Sequence, residues 1–254
     1  MANPRQNWNR NETLIAFNLY CRTPFGRLHA RNPEVIEVAF KLGRTPSALA
    51  MKCCNLAAFD STLQARGVSG LRKASRQDAE IWHEFEDDPE SLTFEAEAAH
   101  AAALGQDLRS SDSVEWEDVA GLDRYLVAKV RVNQHFFRSV VLAGYQARCA
   151  ICELPIRSLL VAAHIVPWSV DRSLRMNPCN GICLCSLHDK AFDAGLLLIG
   201  SNYQIALHPS VTALADTPAV VTNFTRFEGQ QVKLPDRWHP DPMLLDRHSR
   251  MVRG

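Results

Sequence analysis

Apolar residues in the first 60 or so positions recur three and four residues apart, which is the period of an α-helix. Leu14, Phe17 and Tyr20, for example, would share one helix face. Gly43 interrupts one such stretch, and Thr45 followed by Pro46 is a typical N-cap and first helical residue for the next one. The pattern therefore predicts three helices, at residues 12–21, 33–42 and 46–59.

The second and third predicted helices are short and are joined by a tight turn that contains glycine. This pattern indicates a helix-turn-helix, in which the second helix of the pair enters the major groove of DNA. A three-helix bundle that only scaffolds or dimerises has the same pattern, so the sequence leaves both interpretations open. The side chains that a helix-turn-helix would present to nucleic acid are Arg44, Ser47, Lys52 and Asn55.

The C-terminal half has a different pattern, with strands among the helices. The run LLVAAHIVPW at 159–168 is rich in aliphatic residues and predicts a strand that Pro167 ends. Helical periodicity returns at about 186–194, and Gly195 just beyond is a typical helix stop. An amphipathic helix at 130–145 precedes these elements, and a β-hairpin at 196–209 follows them. The predicted fold class is therefore α+β.

Acidic and basic residues are segregated along the chain, although 28 Lys+Arg and 28 Asp+Glu give a net charge of zero. Residues 1–76 hold 12 basic and 4 acidic side chains, residues 77–123 hold 1 and 15, and residues 124–254 hold 15 and 9. Basic blocks suit a phosphate backbone, whereas an acidic belt lies against DNA only at a cost. We expect a helical domain at 1–104 that ends in acidic helices, an acidic linker at 105–122 and a second domain at 123–254.

Five of the eight cysteines lie within residues 149–185, at spacings that metal sites use. Cys149 and Cys152 form one short knuckle, and Cys185 and His188 form another. Paired knuckles of this kind bring four ligands to tetrahedral zinc. Buried free thiols are the alternative. Because packing alone does not explain why the knuckles occur as a pair, the sequence predicts a structural zinc site.

A second group of residues suits a harder metal ion. Asp189 and Asp193 are four residues apart, so both carboxylates fall on one face of the predicted helix. His188 points elsewhere on that helix, which suits the zinc set. His164 lies in the predicted strand, and Asn180 opens an Asn-Gly loop. The carboxylates, set after this strand histidine and loop, form a candidate site for a divalent cation such as Mg²⁺.

These residues, in this order, resemble the HNH endonuclease family, whose ββα-metal motif has a strand histidine, a loop asparagine and helix-borne metal ligands. His164, Asn180 and the run HDKAFDAG match the branch with the pattern AAHIxPW…NPxNGxCL…LHDKAFDxG. The resemblance covers roughly residues 125–250. It implies a C-terminal ββα-metal nuclease domain.

The resemblance also implies roles. His164 would be the general base that activates water, since the unperturbed pKa of histidine lies near neutral pH. Asp189 and Asp193 would hold a single Mg²⁺ or Mn²⁺ ion, and Asn180 would order the loop that faces the base. Many family members have a metal ligand immediately before the base, where this chain has Ala163. Either water replaces that ligand, or His188 serves the catalytic metal instead of zinc.

The function implied by the resemblance is metal-dependent cleavage of DNA, most simply double-stranded DNA, in a setting such as restriction or phage defence. Arg175 and Lys190 are further candidate DNA contacts. The alternative is a DNA-binding or assembly protein with an inert or regulatory HNH fold. A homo-oligomer or a regulatory protein partner also fits the sequence.

The chain carries no sequence signal for a membrane or for export. No apolar run approaches the roughly 20 residues of a membrane span, and the N-terminus lacks the apolar core of a signal peptide. Cysteines at metal-ligand spacing favour a reducing compartment. We therefore expect a cytoplasmic protein.

Overall fold

A computed structural model describes residues 7–65, 67, 74–106 and 122–253, and for residues 65 and 122–126 it describes the main chain only. The chain divides into two compact units, Met1–Phe136 and Phe137–Gly254. The boundary falls inside one long helix, and most of the linker predicted at 105–122 lies outside the described residues. No helix in the described part of the chain is long and apolar enough to cross a bilayer.

The described part of the first unit is helical. The three helices predicted from the N-terminal periodicity are confirmed, with the third ending at Leu56 rather than near residue 59. Thr45 caps this third helix as predicted, because its side chain accepts a hydrogen bond from the main-chain N–H of Ala48. The helices are α1 (Arg10–Arg22), α2 (Pro33–Lys41), α3 (Pro46–Leu56), α4 (Ser61–Ala65), α5 (Arg76–Asp87), α6 (Pro89–Leu104) and the first part of α7 (Leu122–Gly144).

Helix α1 is the centre of the first unit. Every residue from 12 to 21 is buried, because α3, α5 and α6 all pack against it. Phe17 contacts Phe85 and Trp82 of α5, with ring centroids 5.1 Å and 6.3 Å apart. The acidic helices α5 and α6 thus cover the basic N-terminal block, and their ion pairs join Arg10 to Glu84 and Glu95, Arg22 to Glu97 and Lys52 to Asp78.

The second unit holds two small sheets and the helices around them. Strands β1 (Leu160–His164) and β2 (Gly181–Cys185) pair antiparallel, with His164 opposite Gly181 and Leu160 opposite Cys185. Helix α8 (Ser186–Asp193) follows β2 directly and packs against both strands. The predicted hairpin is confirmed. The remaining elements are β3 (Leu197–Ile199), β4 (Ile205–Leu207), α9 (Pro209–Thr212), α10 (Pro218–Asn223) and α11 (Pro242–Arg253).

Two glycines mark close approaches in this unit. A Cβ on Gly181 would lie 2.5 Å from Cγ2 of Val141, so β2 passes directly beneath α7. Gly195 ends α8 with a φ of +67°, a conformation that glycine adopts readily, and it faces Val252 of α11. The strand pair and α8 are therefore held between α7 and α11.

Candidate active site

The imidazole of His164 occupies one fixed orientation at the end of β1. The ring of Phe137 stacks on it, with centroids 4.0 Å apart and planes 9° from parallel. Trp168 meets the imidazole edge-on at 6.0 Å. Nε2 lies 3.0 Å from the main-chain carbonyl oxygen of Arg175. Two aromatic contacts and one hydrogen bond together leave the ring little freedom to rotate.

The carbonyl partner determines which nitrogen of His164 carries the proton. A carbonyl oxygen only accepts, so Nε2–H donates to Arg175 in the neutral ring and the lone pair is on Nδ1. Among the described residues no hydrogen bond to this Nδ1 is found. Burial lowers the pKa of His164 below its ordinary value of 6.5, while the carbonyl of Arg175 opposes this shift by favouring the protonated ring. The ring is therefore a neutral base at pH 7.

Asn180 is fully buried in the 3-10 turn that leads into β2. Its Oδ1 accepts a hydrogen bond from the main-chain N–H of Val166 at 2.8 Å. Its Nδ2 donates to the carbonyl oxygens of Val166 and Leu174, at 3.0 Å and 3.2 Å. These partners lie on both arms of the loop that runs from His164 to Arg175. Asn180 therefore holds in shape the loop whose carbonyl orients His164.

Asp189 and Asp193 lie one turn apart on α8, with Asp189 half-buried and Asp193 exposed. Burial, and after it the negative charge of Asp193, raises the pKa of Asp189 from 3.8 to about 6. A bound divalent cation would relieve both effects, so this donor pair fits a hard metal ion. Ala163, buried on β1, offers no ligand atom. Water would have to complete the coordination shell beside these two carboxylates.

The two cysteine knuckles meet in the second unit. The main-chain N–H of Ala150 donates to the carbonyl oxygen of Cys183 at 2.7 Å, which brings the first knuckle beside the end of β2. One ligand atom from each of four side chains then lies within 4.8 Å of the other three. We call this group the Cys3His cluster; it consists of Cys149, Cys152, Cys185 and His188.

The geometry of the Cys3His cluster fits a tetrahedral metal ion. The Sγ atoms of Cys152 and Cys185 are 3.9 Å apart, and Nδ1 of His188 is 3.5 Å from Sγ of Cys149 and 3.2 Å from Sγ of Cys185. Ligands at zinc bonding distances of about 2.0–2.3 Å would be roughly 3.5–3.8 Å apart. Hydrogen bonds from Cys149 and His188 lower the pKa of the Cys185 thiol, so the cluster favours a thiolate there.

His188 belongs to this cluster and not to the carboxylate pair. Its Nε2 lies 2.8 Å from the carbonyl oxygen of Asn223, so Nε2 carries the proton and Nδ1 faces the sulfur atoms. Phe224 and Phe227 meet the ring edge-on at 5.8 Å and 5.7 Å. The geometry therefore groups His188 with the cysteines.

Two of the residues predicted to face DNA in the first unit are engaged elsewhere. Lys52 is buried, and its amine lies 2.5 Å from the buried carboxylate of Asp78, so the expectation that it faces nucleic acid is wrong. Arg44 donates two hydrogen bonds to Glu12, at 2.8 Å and 2.9 Å, and its guanidinium lies over Trp8. Both cations are neutralised by carboxylates of α1 and α5, which helical periodicity could not reveal.

The other four predicted DNA contacts remain accessible to different degrees. Ser47 is exposed and Asn55 is partly buried on α3. In the second unit, Lys190 is exposed on α8, and the guanidinium of Arg175 lies 4.9 Å from the ring centroid of Trp168. DNA binding by these four residues stays a prediction.

Comparison with known proteins agrees with this geometry. Residues 149–200 match the model of the HNH endonuclease family. The segment belongs to that family. The matched HNH segment begins at the first cysteine of the Cys3His cluster and contains His164, Asn180 and α8. No match to the chain is found among curated proteins or solved structures. The resemblance inferred from the ordered motifs is confirmed for residues 149–200 of the roughly 125–250 expected, and membership of this family implies nuclease chemistry with DNA as substrate.

Several groups that shape the site could not be identified as functional from sequence. Phe137 lies outside the HNH segment, and its spacing on α7 predicts only a core residue. The carbonyl groups of Arg175 and Asn223 orient the two histidines. Because every residue has a main-chain carbonyl, the residue type does not indicate which carbonyl has this role.

Proposed function

We propose that this protein is a metal-dependent endonuclease that hydrolyses phosphodiester bonds in double-stranded DNA, with His164 as its general base. The observation that carries this proposal is the fixed imidazole, whose Nε2–H is bound to the Arg175 carbonyl while Nδ1 has no hydrogen bond among the described residues. Membership of residues 149–200 in the HNH family supports the same reaction class.

The base acts through its Nδ1 lone pair. A water molecule that hydrogen-bonds to Nδ1 loses its proton to the ring as it attacks phosphorus, and the ring becomes a cation. The Arg175 carbonyl stabilises that cation because it accepts the Nε2–H bond more strongly when the ring is charged. Phe137 keeps the ring plane fixed, so Nδ1 points the same way in each cycle.

Asp189 and Asp193 are the residues that would hold the catalytic ion, as a divalent cation of the Mg²⁺ or Mn²⁺ class. When bound, such an ion would supply positive charge to stabilise the scissile phosphate and the leaving 3′ oxygen. The raised pKa of Asp189 supports this assignment, because carboxyl groups with shifted pKa values are common at functional sites. At a pH below about 6, where Asp189 is mostly protonated, Asp189 would have to lose its proton for the cation to bind.

For the Cys3His cluster we propose a structural zinc ion. Four protein ligands leave no open position, which is typical of structural rather than catalytic zinc. The Asn223 carbonyl fixes the His188 tautomer that ligates through Nδ1. The ion would join the segment before β1 to the β2–α8 junction, and so support the strand pair that carries His164.

We assign DNA contact mainly to the second unit. Residues 137–254 hold 12 Lys+Arg and 9 Asp+Glu, whereas residues 1–136 hold 16 and 19. In the first unit, four cations of α1, α3 and the turn before α3 pair with carboxylates, so they are less able to bind phosphate. DNA reading by α2 and α3, and a role in restriction or defence, stay predictions.

The test is cleavage of supercoiled plasmid by the purified protein in Mg²⁺, Mn²⁺ or EDTA, beside His164→Ala. We expect metal-dependent nicking or linearisation that His164→Ala slows about 100-fold or more, since general bases contribute roughly 10²–10⁴ to rates. His135→Ala is the matched control, because His135 is exposed on α7. Its rate should equal that of the wild type.

Two outcomes would count against the proposal. Cleavage by His164→Ala at the wild-type rate would remove the assigned base. If the wild-type protein binds plasmid but does not cut it with either metal, the alternative of a DNA-binding protein with an inert HNH fold is favoured. Thermal melting of each variant shows whether a lost activity reflects a lost fold.

A further inference from the structure

Helix α11 lies well beyond the HNH segment, yet it contacts the loop that follows His164 and the helix α8. Arg247 binds Asp171 in the loop that follows His164, with Nη1 2.8 Å from Oδ2. His248 stacks on Phe192 of α8, with ring centroids 3.8 Å apart. Just before the helix, the main-chain N–H of Asp241 donates at 2.9 Å to the carbonyl oxygen of Cys179, which precedes Asn180.

The contact of Arg247 leads to the general base in few steps. Asp171 accepts hydrogen bonds at Oδ1 from the main-chain N–H and the hydroxyl of Ser173, at 3.2 Å and 2.6 Å. Asp171 thereby caps the 3-10 turn Arg172–Leu174. The residue after that turn is Arg175, whose carbonyl oxygen binds Nε2 of His164. The ion pair thus anchors to α11 the turn that places the carbonyl.

We propose that Arg247 and Asp171 are positioning residues for the nuclease reaction, which keep the Arg175 carbonyl on Nε2 of His164 and so keep the lone pair on Nδ1. This inference rests on the proposed function for the part that concerns cleavage. Its structural part, the control of the His164 tautomer, can be measured without any cleavage.

A merely stabilising role for this pair would have different consequences. The side chains of Arg247 and Asp171 are 38% and 27% exposed, and ion pairs this open to water contribute little to folding. Their loss should therefore change the site more than the stability. Asn180 also holds the loop through Leu174 and Val166, so we expect a partial effect and not a complete one.

The variants separate the ion pair from the cap. Asp171→Asn keeps an oxygen for Ser173 but removes the charge that binds Arg247, and Arg247→Ala removes the other partner. Arg247→Lys restores the positive charge. Arg250→Ala is the matched control, because Arg250 is exposed on the same helix. The double variant Asp171→Asn/Arg247→Ala tests whether the two residues act as one unit.

The first readout is the ¹⁵N spectrum of the His164 ring, assigned by its disappearance in His164→Ala. The wild type and Arg250→Ala should show proton occupancy at Nε2 alone. Arg247→Ala and Asp171→Asn should each show a mixture of both tautomers, and Arg247→Lys should return toward the wild type. The double variant should look like either single variant.

The second readout is cleavage at saturating plasmid. We expect kcat to fall about tenfold with KM unchanged, which is less than the roughly 100-fold cost of a one-ångström misplacement. An unchanged His164 tautomer in both single variants would overturn the proposal, whatever happens to activity. If the wild type fails to cleave but the tautomer responds as expected, the positioning role stands and the nuclease assignment falls. If Arg247→Ala fails to fold, Asp171→Asn alone decides, because it removes the same ion pair from the other side.

Discussion

Replacement of Gly181 by alanine should disturb both the packing and the chemistry of the second unit. The added Cβ would lie 2.5 Å from Cγ2 of Val141, 3.0 Å from Cζ of Phe137 and 3.1 Å from the carbonyl oxygen of Pro178. The backbone of Gly181 is extended, with φ of −115° and ψ of 141°, so alanine causes no backbone strain there. The whole effect must therefore come from steric contacts, with α7 and with the Pro178 carbonyl of the preceding turn.

The loss of folding stability can be estimated from these contacts. Overpacking by one methyl group in a well-packed core destabilises by about 1–3 kcal/mol. For a unit of this size, each kcal/mol lowers the melting temperature by roughly 3–6 °C, so we expect a decrease of about 3–18 °C. Because Phe137 stacks on His164, its displacement should also lower kcat for DNA cleavage.

Thermal and urea denaturation of the full chain measure this effect, with Gly144→Ala as the control. A Cβ on Gly144 comes no closer than 3.2 Å to Pro235, and alanine there is a better helix former, so its stability should stay near that of the wild type. Val141→Ala should relieve part of the Gly181→Ala cost in the double variant. Melting of Gly181→Ala within about 2 °C of the wild type would refute the reasoning.

Two further predictions concern the cluster and a buried histidine. Cys149→Ser should lose stoichiometric zinc in metal analysis and melt at a lower temperature, whereas Cys179→Ser, outside the Cys3His cluster, should keep its zinc; equal zinc in both would contradict the assignment. Burial lowers the pKa of His248 to about 4, so between pH 6.5 and 4 the unfolded chain binds a proton that the folded chain does not. The free energy of unfolding should fall by up to about 3 kcal/mol over that range, and by less in His248→Phe. Urea denaturation of both proteins at pH 7 and pH 4.5 measures this loss, and an equal loss in the two proteins would disprove the prediction.

The elements of the fold were largely predictable because each has a local cause. Thr45 and Pro46 begin α3, Gly195 ends α8, helical period marks the N-terminal helices, and aliphatic richness marks β1, whereas β2, α9 and α10 were not predicted. What periodicity could not predict is how many neighbours a helix has. Helix α1 reads as one-sided but is buried all round, and Lys52 reads as exposed but meets Asp78 of α5.

The site was predictable to the same extent. Asp189 and Asp193, and each knuckle of the Cys3His cluster, lie within one helical turn or one tight turn, so spacing alone brings their ligand atoms together. The meeting of the two knuckles depends on a hydrogen bond between Ala150 and Cys183, which spacing does not specify. Phe137 was placed in the core by its spacing, and its contact with His164 is a property of the tertiary structure.

Both functional histidines are oriented by main-chain carbonyl groups, His164 by Arg175 and His188 by Asn223. Substitution at position 175 or 223 changes the side chain and leaves the carbonyl in place. An alanine scan would therefore pass over the two atoms that set the tautomers of these rings. The same positions are free to accumulate mutations without loss of orientation, provided that the main chain keeps its path. The exceptions are proline at these positions and insertions or deletions nearby, which move the carbonyl itself.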